Sequence, residues 1–401
     1  MTDRFLPYGR HVIEEDDITA VADVLRGDWL TTGPAVGAFE ADFAAAVGVR
    51  HALACNSGTA ALHMAAHALG LGPGDHVIVP AITFLATANA AVYVGAEVVF
   101  ADVDPETGAM TAETVRAAAS RAAGPVKAVF PVHLKGTVAD PPGIAEAAES
   151  LGAAVVEDAC HALGTTYTAN GAVSRVGACA HSRIATFSLH PVKTIAMGEG
   201  GVVTTNDPAL AEAMRRFRSH GMVHDPAAWQ LPEQGFEDGE PAPWYYEMPQ
   251  PGFNFRAPDL ACALARSQLR KLDRFVARRA ALAGLYDSLL APLAPHVLPP
   301  PRVDGCAPGW HLYAARIDFA GLGLKRGAVM RALRARGIGT QVHYVPVPWQ
   351  PYWRNRQAVP DLPGAAHYYA HTLSLPLFPG MEEAEVARVV TALADVLGLG
   401  A

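Results

Sequence analysis

The stretch Phe187-Ser188-Leu189-His190-Pro191-Val192-Lys193, followed by Gly198-Glu199-Gly200-Gly201, decides the fold. An apolar, strand-like run ends in a serine, a lysine stands five positions later, and glycines follow that let the chain pass close to a flat ligand. Upstream, a second apolar run, Ala153-Ala154-Val155-Val156-Glu157-Asp158, closes on an aspartate with His161 a turn beyond. Polar residues at successive strand ends fit the carboxyl edge of an open α/β sheet, where ligands bind.

Outward from these two runs, β-type and helical patterns alternate. Residues 51–55, 76–80, 97–101, 127–132, 153–157, 184–187 and 201–205 read as strands, and 59–69, 86–94, 111–122 and 142–151 as the helices between them. Such alternation predicts βαβ units and a mostly parallel sheet covered on both faces. Acids early in 13–25, with apolar residues at helical spacing, predict an amphipathic helix ahead of the sheet. Composition shifts to Pro, Gly, Glu and Trp over 222–251, which reads as a long loop. Residues 258–290 form one long helical pattern, and 292–308 a proline-rich link. A strand at 311–319, a helix at 327–336, a strand at 340–344 and a helix at 382–397 complete a smaller α+β unit. The expected division is a large domain over 1–255, including the amino-terminal helix, and the long helix with a small carboxyl-terminal domain over 256–401.

The 401 residues exceed one small core, and 51% apolar composition places the chain among globular proteins. With a net charge of −8 and scattered basic residues, no nucleic-acid footprint stands out. The start Met1-Thr2-Asp3-Arg4-Phe5 lacks the basic and apolar regions of an export signal, and no stretch reads as a membrane span. Five widely spaced cysteines without a Cys-x-x-Cys pair suggest reduced thiols, no metal site and a cytoplasmic location.

Pyridoxal phosphate needs a lysine for a Schiff base, an acid to keep its ring nitrogen protonated, and donors for its phosphate. Lys193 would ordinarily be a surface residue, but its setting between Ser188 and the glycines favours the imine role. Asp158 could simply cap the next segment, yet a carboxylate at a buried strand end calls for a cationic partner such as a pyridinium. His161, taken alone a structural histidine, stands close enough in sequence to Asp158 to reach the same ring. Asn56-Ser57-Gly58-Thr59-Ala60 ends a strand and opens a helix; it reads as a cap or as a phosphate cradle, with Ser188 the second phosphate ligand. Phe84 is either a core aromatic or a ring lying flat on the pyridine. The dinucleotide glycine fingerprint is missing at this turn, which disfavours a nicotinamide dehydrogenase.

Together, Leu30-Thr31-Thr32-Gly33, Asn56–Ala60, Thr83-Phe84 with Ala86-Thr87-Ala88-Asn89, Glu157-Asp158 with His161, Phe187–Lys193 with Gly198–Gly201, Gly252–Arg256 and Gln341-Val342-His343-Tyr344 resemble the DegT/DnrJ/EryC1/StrS sugar aminotransferases. The resemblance implies a fold type I enzyme with a mostly parallel seven-stranded sheet and a smaller α+β domain. It implies Lys193 as the cofactor lysine, Asp158 at the pyridine nitrogen and His161 at the ring's oxygen. Ser57, Gly58, Thr59, Ala60 and Ser188 would then hold the phosphate, with Phe84 stacked on the ring. Asn254 and Arg256 would reach the phosphate of a neighbouring subunit, which implies a homodimer with shared sites. His220, His311, His343 and Tyr344 are the implied sugar contacts. Within the family, 218–222, 243–247 and 341–344 are most similar to pseudaminic-acid-pathway aminotransferases, which act on UDP-2-acetamido-2,6-dideoxy-β-L-arabino-hexos-4-ulose. Pro348-Trp349 departs from that pattern. Deoxysugar dehydratases of the family carry histidine at the cofactor-lysine position, so Lys193 argues against that activity. A cofactor-holding regulatory protein without turnover is a further alternative, disfavoured by the intact set of residues.

Overall fold

In the computed structural model the described residues are 5–138 and 140–400; the opening stretch Met1–Arg4 read above lies outside them. All seven expected strands form one sheet, ordered His51–Cys55, Gly201–Thr205, Ile184–Ser188, Ala154–Asp158, Val126–Val129, His76–Pro80, Glu97–Ala101. Only Gly201–Thr205 runs antiparallel to its neighbours, so the sheet is mostly parallel.

Side-chain alternation along these strands serves two cores at once. Leu53 and Cys55 face a cluster built with the helix Gly58–Ala68, whereas Ala52 and Ala54 face Phe39 and Phe43 of the helix Pro34–Val47. Every residue of His76–Pro80 and Gly201–Thr205 is buried, which explains why these strands read as continuous apolar runs. The amino-terminal helix Glu15–Arg26 begins with a capping box between Glu14 and Asp17, as its early acids predicted.

Three expectations are corrected. The single helix over 258–290 is two, Asp259–Leu269 and Leu272–Leu290. The break lies at Arg270-Lys271, where the Lys271 ammonium meets Asp16 at 2.5 Å, Asp17 at 2.7 Å and Glu14 at 3.2 Å. The strand over 340–344 is reduced to a bridge between Gln341 and Ser374; the third strand of the small sheet is instead Thr372–Leu375, with Tyr313–Ile317 between it and Val297–Leu298. The loop over 222–251 has its own structure, with a hairpin pairing Phe236–Glu237 and Glu240–Pro241. Buried Glu247 ties it down by accepting the N–H groups of Gln230 and Leu231.

A further core joins the helices Leu272–Leu290, Arg326–Ala335 and Glu383–Leu397 to the small sheet. Its segments carry His311 and Ser374 to the carboxyl edge of the large sheet, beside His161. Among the described residues, no helix is long and apolar enough to cross a membrane. All five cysteines are free thiols.

Candidate active site

The site begins at the carboxyl end of Ala154–Asp158. The Asp158 side chain is buried and oriented by two donors, the Thr87 hydroxyl to Oδ2 at 2.6 Å and the Cys160 N–H to Oδ1 at 3.2 Å. Thr87 in turn lies 2.7 Å from the Thr83 hydroxyl.

Lys193 sits on the loop after Ile184–Ser188. Leu189 closes that loop, its N–H donating to Gly200 O and its carbonyl accepting from Met197, both within 2.9 Å. Burial pushes the Lys193 amine below its ordinary range, while the Cys160 sulfur and Asp158 pull the other way. A lysine so placed can shed its proton and act as a nucleophile or base.

Close packing shapes the neighbouring cradle. A Cβ on Gly58 would stand 2.8 Å from Ser188 Cβ, and one on Gly201 would stand 2.5 Å from the Ser57 carbonyl oxygen. Glycine at both positions lets Ser188 lie against the start of Gly58–Ala68, whose first N–H groups have no acceptor within the helix. Ser57 caps that helix, its hydroxyl oxygen accepting from the Ala60 N–H at 3.0 Å, and Thr59 follows Gly58 in the first turn. Phe84 caps the helix Leu85–Tyr93, and at 56% exposure its ring face is open, 6.0 Å from Tyr344.

Three histidines converge from distant segments. The rings of His161 and His311 stand 4.3 Å apart, His161 Nε2 lies 3.1 Å from the Tyr344 hydroxyl, and His343 Nδ1 lies 2.8 Å from Ser374 Oγ. Burial, reinforced by the Lys193 charge, pushes the pKa of His343 down to about 3 and those of His161 and His311 well below their ordinary value. All three are therefore neutral hydrogen-bonding groups near pH 7.

The other expected residues lie elsewhere in the chain's own surface. His220 is exposed, its left-handed N–H donates to Phe253 O at 2.9 Å, and it lines a concavity with Thr32, Arg218 and Arg256. Asn254 is exposed and its carbonyl accepts from Asn56 Nδ2 at 3.2 Å. Arg256 bridges to Cys55 through its backbone and has a buried Nε without a partner.

Sequence reading missed Thr83 and Thr87 as site groups, although their four-residue spacing at a helix start places them on one face. It also missed Lys135 and Ser374, for which no local signal exists. Among the described residues, no group of three or more His, Cys, Asp or Glu side chains is arranged to hold a metal.

Residues 11–394 match the DegT/DnrJ/EryC1/StrS aminotransferase family. The chain belongs to that family. It is a PLP-dependent sugar aminotransferase, with the mixed α/β fold described above. The aminotransferase is 39% identical over 396 residues to the spore coat polysaccharide biosynthesis protein SpsC of Bacillus subtilis, covering 98% of this chain and 97% of that one. Among solved structures it resembles Spr1654 of Streptococcus pneumoniae, assigned as a sugar aminotransferase and solved in its PLP form. That match has a TM-score of 0.86 at 26% identity, over 98% of this chain and 99% of the other. PseC of Helicobacter pylori, an aminotransferase of pseudaminic acid biosynthesis, matches with a TM-score of 0.87 at 25% identity, over 98% and 100%.

Proposed function

We propose that this aminotransferase moves an amino group from L-glutamate to the C4 keto carbon of a nucleotide-linked 4-keto-6-deoxysugar. The sugar we favour is UDP-2-acetamido-2,6-dideoxy-β-L-arabino-hexos-4-ulose. The observation that carries the reading is the placement of Lys193, half-buried and with its amine pushed below its ordinary range, at the same sheet edge as Asp158 and close to three neutral imidazoles. The likeness to SpsC and PseC supports the substrate class.

The residues present fit pyridoxal phosphate. Gly58 and Gly201 let Ser188 lie against the helix start, where any Cβ would collide, and the donor set of helix start plus Ser188 suits a phosphate. Bound there, the cofactor supplies a carbonyl carbon that exchanges amines and a ring that accepts electron density. Lys193 would hold the cofactor, and its amine, able to lose and regain a proton, would serve as the general base and acid. Asp158 would keep the ring nitrogen protonated, Phe84 would cover the ring face, and His161 would stand at the ring oxygen. Ser57, Gly58, Thr59, Ala60 and Ser188 take the phosphate, joined by Asn254 and Arg256 of a second copy in a homodimer.

His220, His311, His343 and Tyr344 contact the sugar nucleotide. The neutral imidazoles of His311 and His343 suit a hydroxylated, uncharged ring, because they can bond to it without demanding a counter-charge. We assign residues 1–255 to the cofactor-binding domain and 256–401 to the long helical segment and small domain. Pro348-Trp349, in the turn Val347–Trp349 with the indole edge on Tyr369 at 5.5 Å, favours a second reading in which another UDP- or dTDP-linked ketosugar is the acceptor. Incubation with glutamate and a panel of UDP- and dTDP-4-keto-6-deoxysugars, with products identified by mass and NMR, separates the two. Failure of every ketosugar to gain an amine overturns both.

A further inference from the structure

The Thr83–Thr87 pair is not among the cofactor and sugar contacts proposed above, yet it is wholly buried against Asp158. Thr83 and Thr87 are 1% and 0% exposed, and the oxygens of Thr83, Thr87 and Asp158 Oδ2 form a chain with spacings of 2.7 and 2.6 Å. An ionised carboxylate accepts and never donates, so the Thr87 proton is spent on Asp158. Thr87 can then only accept from its other neighbour, so Thr83 donates to Thr87. Direction is fixed along the whole chain. Thr83 also immediately precedes Phe84, and the Thr87 N–H donates to Phe84 O at 3.2 Å, so one short turn serves both the carboxylate and the exposed ring.

We infer that Thr87 is a positioning residue that aims and stabilises the Asp158 carboxylate, and that Thr83 acts only through Thr87. The inference rests on the proposed role of Asp158 at the pyridine nitrogen. A donor on Oδ2 disperses the carboxylate charge and lowers its basicity, which leaves the shared proton on the ring nitrogen rather than on Asp158. A second consequence is geometric: with Oδ2 held by Thr87 and Oδ1 by Cys160, the carboxylate plane cannot rotate away from its partner.

The test uses the holoenzyme. Thr87→Val keeps the shape and removes the donor. Hydrogen bonds to charged groups are among the stronger ones, so kcat should fall about 10- to 100-fold with KM little changed. Pyridoxal phosphate should dissociate more readily by equilibrium dialysis. The pH midpoint of the visible absorbance should move upward, because a ring with less positive charge withdraws less from the Lys193 nitrogen. Lys193, Cys160 and Tyr344, the other titratable groups facing Asp158, stay unchanged in this variant.

Thr87→Ser should restore all three readouts. Thr83→Val should cause a smaller change, and the double variant should match Thr87→Val alone, since Thr83 has no other route to Asp158. Additive effects of the two substitutions, or an unmoved midpoint and cofactor affinity in Thr87→Val, overturn the inference. Asp158→Asn separates this failure from failure of the site itself. If Asp158→Asn alters affinity and absorbance while Thr87→Val does not, only the relay is wrong. If neither does, the role of Asp158 falls with it. Should Thr87→Val not fold, Thr83→Val compared with Thr83→Ser carries the same decision.

Discussion

The backbone N–H of Lys135 donates to Nδ1 of His161 at 3.3 Å, and this bond selects the tautomer of the imidazole. A backbone N–H can only donate, so Nδ1 offers its lone pair and the proton of the neutral ring sits on Nε2, facing the Tyr344 hydroxyl at 3.1 Å. The turn that makes this possible is left-handed at Lys135, with φ of 65°. Its side chain runs inward to the Thr107 carbonyl and the Tyr368 hydroxyl.

Burial of that side chain makes a prediction about stability. Desolvation pushes the Lys135 amine down to about 7, against 10.5 in its ordinary state. Between these values the unfolded chain binds a proton that the folded chain does not, so stability rises with pH across that window. The penalty at and below pH 7 is on the order of a few kcal/mol. Urea unfolding at pH 7, 8 and 9 should show this slope in the wild type and a flatter profile in Lys135→Met.

Gly58→Ala should damage cofactor binding more than folding. The added methyl meets Ser188 Cβ at 2.8 Å and must push apart the two elements of the cradle. Overpacking of this kind costs about 1–3 kcal/mol, and the displaced group is the one that faces the phosphate. Equilibrium dialysis should show at least a tenfold loss of pyridoxal phosphate affinity, with the melting temperature lowered by only a few degrees.

Lys193→Ala should abolish turnover while circular dichroism and the melting curve stay close to wild type. Removing this partly exposed amine leaves no cavity in the main cores. Measurable amination of any ketosugar by the variant would place the essential amine elsewhere.

Shared sites can be tested by mixing. Lys193→Ala subunits combined with Asn254→Ala/Arg256→Ala subunits should regain part of the activity, because one site per mixed dimer keeps its own lysine and its neighbour's phosphate contacts. Sedimentation should show a dimer. Mixed dimers that form and remain inactive would confine each site to one chain.

The large sheet was legible because both of its faces are buried, so strands such as His76–Pro80 and Gly201–Thr205 appear as unbroken apolar runs between helical patterns. The helix break at Arg270-Lys271 was not. Its cause is three carboxylates at Glu14, Asp16 and Asp17, far away in the chain. The strand expected at 340–344 failed for a related reason. Gln341 pairs with Ser374 and the chain then leaves the sheet, while His343 turns to the Ser374 hydroxyl. Lys193 and Asp158 stood out because Asp158 ends one strand and Lys193 lies on the loop just after the neighbouring one, where side chains meet at the sheet edge. The contact of His161 with His311 joins residues whose separation carries no local pattern, and only the packing of two cores brings them together.

Arg279, 1% exposed, donates one guanidinium nitrogen to the carbonyl oxygens of Trp310, His311 and Leu377. It keeps its charge at neutral pH even though burial lowers its pKa to about 10, and its field and that of Lys193 both reach His311. The chain as a whole carries −8. A phosphorylated ligand thus meets a net negative chain from afar and these two cations only close to His311. Salt near physiological strength, with a screening length of about 8 Å, mutes the distant repulsion far more than the pull of enclosed cations. Loading should therefore be faster at 0.15 M salt than at very low ionic strength, the reverse of what a basic protein would show.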